Sequence, residues 1–177
     1  QGAHCYTDAV ILYEAMLSML RRVGAPEASI LGVQENLAVT YGTLGRLEGA
    51  LLMQRDIYSG RLKINGEEHR ETLFAALNYA ASLSDLERFE EAKSLIRKTM
   101  PVARRVVGES HQLTLQMRGC YAEALYKDSQ ATLDDFRESV TTLEDSERTA
   151  RRVFGGAHPL TVQIEQCLRD SRAALRA

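Results

Sequence analysis

A short motif of glycine and histidine recurs along the chain at nearly constant spacing. It is clearest at Gly66–His69 (GEEH) and Gly108–His111 (GESH), and a looser copy lies at Gly155–His158 (GGAH). The first two histidines are 42 residues apart, and the next two are 47 residues apart. A sequence period of about 20–50 residues is typical of stacked-repeat proteins, in which each repeat is one supersecondary unit. The motif therefore predicts repeated units that are joined at these three points.

Between the junctions, apolar residues recur at steps of three and four, which indicates helices, and no window alternates with the period of two expected for a strand. The spacing predicts about eight helices joined by short loops. Pro101 falls inside the fifth helix, where proline removes one backbone donor, so a kink is expected there and not two separate helices. The predicted helices begin and end near Tyr6–Arg22, Glu27–Leu44, Leu47–Asn65, His69–Leu83, Phe89–Val106, Leu115–Leu125, Phe136–Val153 and Pro159–Leu175.

The one longer step locates an insertion of five residues. The apolar positions on either side of it keep the repeat register only if the extra residues lie between Leu125 and Phe136. The stretch Lys127–Asp135 there is polar and acidic, and Thr132 followed by Asp135 has the form of a capping box. We expect the insertion to lengthen an inter-helix loop and to leave both helices whole.

Composition and charge exclude several function classes. The formal net charge is −2 and the pI is about 6.1, so no basic surface for nucleic acid is expected, and the aromatic content of 6% is low for base stacking. No apolar run reaches the ~18 residues that a membrane helix needs. The scattered cysteines Cys5, Cys120 and Cys167 have no metal-ligand spacing and suggest a reducing, cytosol-like compartment. Because the chain begins with Gln1 and not Met, a segment of a longer protein is expected.

No pattern in the chain predicts catalysis, a metal or a cofactor. The junction histidines recur because the repeat recurs, and helices packed ~8–10 Å apart do not bring them within the ~2.3 Å of an ion that zinc requires. We expect each histidine to bind a neighbouring backbone group. Adjacent acidic residues such as Glu90 and Glu91 point about 100° apart on a helix and do not face each other. We therefore predict that the protein is not an enzyme.

Three segments carry a resemblance to a known family. They are Asn36–Ala38 (NLA), Gly45–Ala50 (GRLEGA) and its counterpart 42 residues later, Glu87–Ala92 (ERFEEA). They resemble tetratricopeptide repeats (TPRs) of the 42-residue form found in kinesin light chains. The resemblance implies a right-handed, TPR-type superhelical solenoid in one domain spanning residues 1–177. It would consist of a half repeat (1–24), three repeats (27–66, 69–108 and 111–155) and a terminal helix (158–176).

The resemblance also implies a concave groove lined by the first helix of each pair. The implied groove residues are Glu35, Asn36, Phe74, Asn78, Gln116 and Cys120. Asparagine side chains there can both donate to and accept from a peptide backbone. The lysine and arginine clamp by which some family members hold a C-terminal carboxylate is missing, and Glu35 would repel that carboxylate.

The predicted function is a non-catalytic scaffold that binds a segment of a protein or peptide partner in this groove. The alternative is a structural or linker subunit, held in a larger assembly by its edge, its convex face or its terminal helices. The half repeat at the N-terminal end favours this alternative because an uncapped end of a repeat array exposes apolar surface. No metal, cofactor or nucleic acid is expected in either case.

Overall fold

The computed structural model describes residues 2–176, and every regular element among them is an α-helix. Side chains are described from Cys5 onward. The predicted all-α class and the number of helices are confirmed for these residues. The helices are α1 (Gly2–Arg22), α2 (Glu27–Thr43), α3 (Leu47–Asn65), α4 (Arg70–Asp85), α5 (Phe89–Val107), α6 (Gln112–Lys127), α7 (Leu133–Phe154) and α8 (Pro159–Arg176).

A glycine ends the second helix of each pair. Gly66, Gly108 and Gly155 follow α3, α5 and α7 with φ of 77°, 95° and 87°. Residues with a side chain rarely adopt such backbone angles, whereas glycine adopts them readily. The recurring glycine of the junction motif therefore stops each helix and redirects the chain into the next one.

The junction histidine begins the helix that follows. His69 and His111 are the N-cap residues of α4 and α6, and their Nδ1 atoms accept hydrogen bonds of 3.2 and 3.1 Å from the backbone N–H two residues later. His158 accepts a 3.2 Å bond from the N–H of Leu160 in the same way. Each histidine thus satisfies one backbone donor that a helix start leaves without an intrahelical partner. The predicted structural role of the histidines is confirmed.

The chain divides into two compact units, residues 1–86 and 87–177. In the first unit, consecutive helices from α1 to α4 pack against each other. One core cluster joins Val10 and Leu17 of α1 to Leu37 of α2. A second cluster joins α2, α3 and α4 through Leu31, Ala38, Ile57 and Ala75.

The second unit has its own core, in which α6, α7 and α8 pack on one another. One cluster in it consists of Leu115, Ala122, Leu143, Ala150, Leu160, Ile164 and Leu168. Two buried serines also bridge these helices. Ser139 of α7 donates to the carbonyl oxygen of Ala122 at 2.9 Å, and Ser171 of α8 donates to the Ser139 oxygen at 2.9 Å. Ser139 stands where the preceding repeats have alanine, so this repeat places a hydrogen-bonded hydroxyl in a position that is otherwise apolar.

The insertion lies where it was predicted but is distributed differently. The loop between α6 and α7 covers residues 128–132, against 44–46 between α2 and α3, so it gains two residues. Helix α7 has 22 residues, against 19 in α5, and takes up the other three. The expectation that the whole insertion lengthens the loop was therefore wrong. The reason is the capping box, which is present: the N–H of Asp135 donates to Thr132 Oγ1 and the N–H of Thr132 donates to Asp135 Oδ2. It starts the helix at Leu133.

Helix α5 is a single helix that contains Pro101, so the prediction of one helix and not two is confirmed, and the kink at Pro101 stays a prediction. Proline at this position is exposed, and the helix continues to Val107. A single helix here preserves the length of the repeat, because two shorter helices would need a loop that the 42-residue period does not contain.

Candidate partner-binding face

The first helix of each pair presents a line of side chains on one side. On α2 the line consists of Gly32, Asn36, Val39 and Thr43, and on α4 it consists of Phe74, Asn78, Ala81 and Asp85. Residues at i, i+4, i+7 and i+11 lie on one face of a helix. None of the eight is buried. We call these lines the first-helix stripes; the two in the first unit are related position by position through the 42-residue period.

Asn36 and Asn78 occupy equivalent positions in the two stripes. Asn36 is exposed, and its amide nitrogen donates only to the Gly32 carbonyl oxygen one turn earlier, at 3.3 Å. Asn78 is half-buried, and its side chain makes no hydrogen bond within the part of the chain that the structure describes. Beside them, Val39 is 58% exposed and supplies apolar area. Two amides with unused hydrogen-bonding capacity therefore stand in the same register on neighbouring repeats.

Glu35 has a structural partner. Its Oε1 accepts a hydrogen bond of 3.0 Å from Nε of Arg61, whose side chain is only 8% exposed. Nη1 of Arg61 also donates to Glu71 at 2.7 Å, and Asn65 donates to the same carboxylate oxygen at 3.2 Å. A buried guanidinium must be paired, and here it joins α2, α3 and α4. The charge that Glu35 would offer a ligand is thus largely compensated from within the fold.

Phe74 is half-buried at the start of its stripe. The guanidinium of Arg70, one turn earlier, lies 5.5 Å from the ring centroid, a cation–π geometry. The aromatic ring is therefore only partly accessible.

Gln116 and Cys120 belong to the corresponding stripe on α6 in the second unit, with Glu123 and Lys127. Gln116 and Cys120 are both half-buried, and the Oε1 atom of Gln116 is buried without a hydrogen-bond partner. Lys127 donates to Glu123, so the end of this stripe carries an internal ion pair. Compared with the stripes of the first unit, this one is less accessible and more charged. Of the predicted residues, Asn36, Phe74 and Asn78 lie in the stripes of the first unit and Gln116 and Cys120 in the stripe of the second, whereas Glu35 is bound to Arg61.

A buried ion-pair cluster was not predicted from the sequence. Lys93 of α5 is 3% exposed, and its ammonium lies 2.5 Å from Glu90 Oε1 and 3.0 Å from Asp128 Oδ2. Burial alone would lower the pKa of Lys93, but the hydrogen bonds that its ammonium donates to Glu90 and Asp128 raise the pKa above its ordinary value. The pKa of Asp128 is held low, first by the N–H of Gln130 and then by Lys93. The cluster anchors the loop of the insertion to α5.

A second polar cluster joins α5, α6 and α7. Arg97 donates to the hydroxyl of Tyr121 at 3.0 Å, and that hydroxyl donates to Glu138 Oε1 at 2.9 Å. Burial of the phenol raises the pKa of Tyr121. These contacts are long-range in sequence, so no local pattern reveals them. They join the three helices through a connected set of hydrogen bonds.

The residues that the structure describes include no group of three or more His, Cys, Asp and Glu side chains that could hold a metal ion. None of their helices has the length and apolar character needed to cross a membrane.

Comparison with known proteins identifies the repeats. Residues 31–71 and 75–113 match the tetratricopeptide repeat family model. Among solved structures, the chain is similar to a Podosopora anserina protein with nearly identical TPR-like repeats of the kinesin light chain type. The identity is 19% and the TM-score 0.78, over 96% of this chain and 78% of that one. BtubC (BKLC) from P. vanneervenii is similar with 14% identity and a TM-score of 0.65, over 96% of this chain and 72% of that one. Comparison with curated proteins yields no match.

These findings confirm the predicted resemblance: the chain carries tetratricopeptide repeats, and its fold is that of kinesin light chain-like TPR proteins. The likeness to the solved structures shows the fold. TPR proteins as a class bind other proteins, and their scaffold is generally not enzymatic.

Proposed function

We propose that this protein is a non-catalytic interaction module that binds an extended segment of a protein partner on the first-helix stripes of α2 and α4. The observation that carries the proposal is the equivalence of Asn36 and Asn78. Both stand at the same position of successive repeats, and neither amide is engaged with another side chain. An extended peptide has a backbone donor and acceptor at every residue, and amides on successive repeats can pair with them.

In this proposal the asparagines set the register of the partner, and apolar contact provides part of the affinity. Val39 and Ala81 are exposed next to the two amides, and Phe74 offers part of its ring. Glu35 acts indirectly, because its bond to Arg61 fixes α2 relative to α3. The partner is a protein or peptide that approaches through its backbone; no metal, nucleic acid or cofactor is needed. The three cysteine thiols suit a reducing, cytosol-like compartment.

The test uses the intact chain as bait in a pull-down that is quantified by mass spectrometry. Three baits are compared: the wild type, the variant Asn36→Ala/Asn78→Ala, and a control variant Ser59→Ala/Ser94→Ala. The control removes two exposed polar groups from the second helices α3 and α5. The proposal predicts that at least one protein is captured by wild type and control but lost, by about tenfold or more, with the asparagine variant. Capture that is equal with all three baits contradicts it.

A second function, as a structural subunit held by its terminal helix, is favoured by one observation. Helix α1 exposes several large apolar side chains, among them Ile11 at 66% and Leu12 at 59%. Deletion of residues 1–24 distinguishes the two functions: binding through the stripes survives the deletion, whereas docking through α1 does not.

A further inference from the structure

Helix α1 has two apolar sides, and α2 covers only one of them. Val10 and Leu17 are buried in the cluster that contains Leu37 of α2. The other side is exposed although it is apolar over about three turns. We call it the outer face of α1; its apolar members are Ile11 (66% exposed), Leu12 (59%), Ala15, Met19 (52%) and Val23 (65%).

The helix at the other end of the chain is different. Apart from Pro159, Val162 and Ala173, the side of α8 that points away from its core carries polar residues, such as Gln163, Gln166 and Arg169. The outer face of α1 is apolar by comparison, and contiguous exposed apolar area commonly marks an interaction site.

The charges on α1 indicate what covers this face. Asp8 lies seven residues before Ala15, and Arg22 lies seven residues after it, both exposed and on the same side of the helix as the apolar residues. Neither has an ion-pair partner within the described part of the chain. If a second α1 is laid antiparallel across the first with a two-fold axis at Ala15, each Asp8 faces the Arg22 of the other copy. The same operation sets Ile11 against Met19, and the small Ala15 at the axis allows close approach of the two helices.

We propose that the outer face of α1 is a self-association surface, on which a second copy of this chain packs its own α1 in antiparallel orientation around a two-fold axis at Ala15. The contact is isologous, so its two Asp8–Arg22 pairs form together. It goes beyond the proposed function, since it uses α1 and leaves the first-helix stripes of α2 and α4 open in both copies. A dimer would present two such faces and gain avidity for a partner with two binding segments.

The experiment measures molar mass of the 177-residue chain by sedimentation equilibrium across a range of concentrations. The expected result is a reversible transition from 19.8 kDa to twice that mass. Met19→Glu places a charge in the apolar contact and should leave a monomer. Because Met19 is 52% exposed, the variant keeps its own fold, which circular dichroism verifies.

Charge reversal tests the antiparallel arrangement directly. Asp8→Arg and Arg22→Asp should each weaken dimerisation roughly tenfold, since each turns two attractions into two repulsions. An equimolar mixture of the two variants should form a heterodimer of at least wild-type strength, because every facing pair is then again of opposite charge. Arg21→Asp is the matched control: it makes the same change of charge on a different side of the helix and should leave dimerisation within about twofold.

Three outcomes would overturn the proposal. They are a monomeric wild type at all concentrations, a dimer that Met19→Glu leaves intact, and a mixture of the charge variants that associates no better than either variant alone. The outcome of the asparagine pull-down does not depend on any of these, so the two proposals fail separately.

Discussion

Removing the carboxylate of Asp128 should destabilise the second unit more than any surface charge change nearby. Lys93 is 3% exposed and the Asp128 side chain is 11% exposed, so the pair is largely shielded from water. Asp128→Ala leaves the buried ammonium with Glu90, whose side chain is 76% exposed, as its other carboxylate. It also removes the 3.0 Å bond from the N–H of Gln130 that shapes the loop. A charge-assisted hydrogen bond contributes about 1.5–3 kcal/mol, and we expect a loss of about 2 kcal/mol.

The matched control lies six residues further along the chain. Asp134 is paired with Arg137, but their side chains are 91% and 63% exposed. Such pairs contribute little, so Asp134→Ala should cost at most about 0.5 kcal/mol. Urea denaturation followed by far-ultraviolet circular dichroism is the assay, because the chain contains no Trp as a fluorescent reporter. Equal costs for the two alanine variants would refute the reasoning, since burial would then make no difference.

A double-mutant cycle with Lys93→Met isolates the pair itself. Methionine fills much of the space of the lysine stem without its charge, so the coupling between the two sites should be about 1–2 kcal/mol. The coupling depends on pH with a definite sign. The folded pKa of Asp128 is lowered from its ordinary 3.8, so its contribution is present above about pH 4 and is lost as the pH falls through the folded pKa. The folded pKa of Lys93 is raised from 10.5, so its contribution is present below that pH and is lost as the pH rises through the folded pKa. We therefore expect the coupling free energy between the two sites to be constant between pH 5 and 9. A coupling free energy with its maximum outside this window would contradict the expectation.

Three other changes test individual features of the fold by the same denaturation assay. Glu87 has a φ of 58°, in the left-handed region that Gly45 occupies one repeat earlier. Glu87→Gly should therefore stabilise the protein by about 0.5–1 kcal/mol. A loss of stability would show that the Glu87 side chain compensates for the backbone strain. His111→Ala removes the acceptor for the first turn of α6 and should cost about 1 kcal/mol, with no effect of added zinc or chelator on the melting temperature. Ser139→Ala should lower the free energy of unfolding by about 1–2 kcal/mol, because the buried Ser171 hydroxyl loses its partner. The double variant Ser139→Ala/Ser171→Ala should lose less stability than the two single variants together. Strictly additive losses would argue against the hydrogen bond between the two serines.

The junctions could be predicted from the sequence because their causes are local. A glycine with positive φ ends one helix and a histidine begins the next within four residues, so the same short motif recurs at the three junctions after α3, α5 and α7. The period between the motifs then indicated the repeat class, and the apolar spacing of three and four indicated the number of helices.

At the insertion, a local sequence motif determines where helix α7 begins, and the alignment of the repeats predicts a different start. Alignment placed the start of α7 at Phe136, which corresponds to Phe89 in the preceding repeat. The capping box at Thr132 starts the helix three residues earlier. The two reciprocal hydrogen bonds of the capping box stabilise a helix start at this position more than an irregular loop would be stabilised there. Helix α7 is therefore longer by three residues, almost one turn.

The buried ion pairs could not have been predicted, for the opposite reason. Arg61 and Glu35 are 26 residues apart, and Lys93 and Asp128 are 35 residues apart. Nothing in the sequence near either residue shows that a charged partner will lie opposite. Glu35 consequently looked like a residue available to a ligand, and only its contact with Arg61 shows its structural use. The asparagines could be placed in register from the sequence, because that register follows from the period alone.

The most direct test of partner binding by the first-helix stripes is the affinity of selected peptides. A library of random peptides is panned on the wild-type protein, and the enriched sequences are synthesised and titrated by calorimetry. The proposed function predicts that Asn36→Ala/Asn78→Ala weakens binding of these peptides by about tenfold or more, since two hydrogen bonds to a peptide backbone are lost. It predicts no change for Ser59→Ala/Ser94→Ala. Peptides that bind the asparagine variant as tightly as the wild type would contradict binding at these stripes.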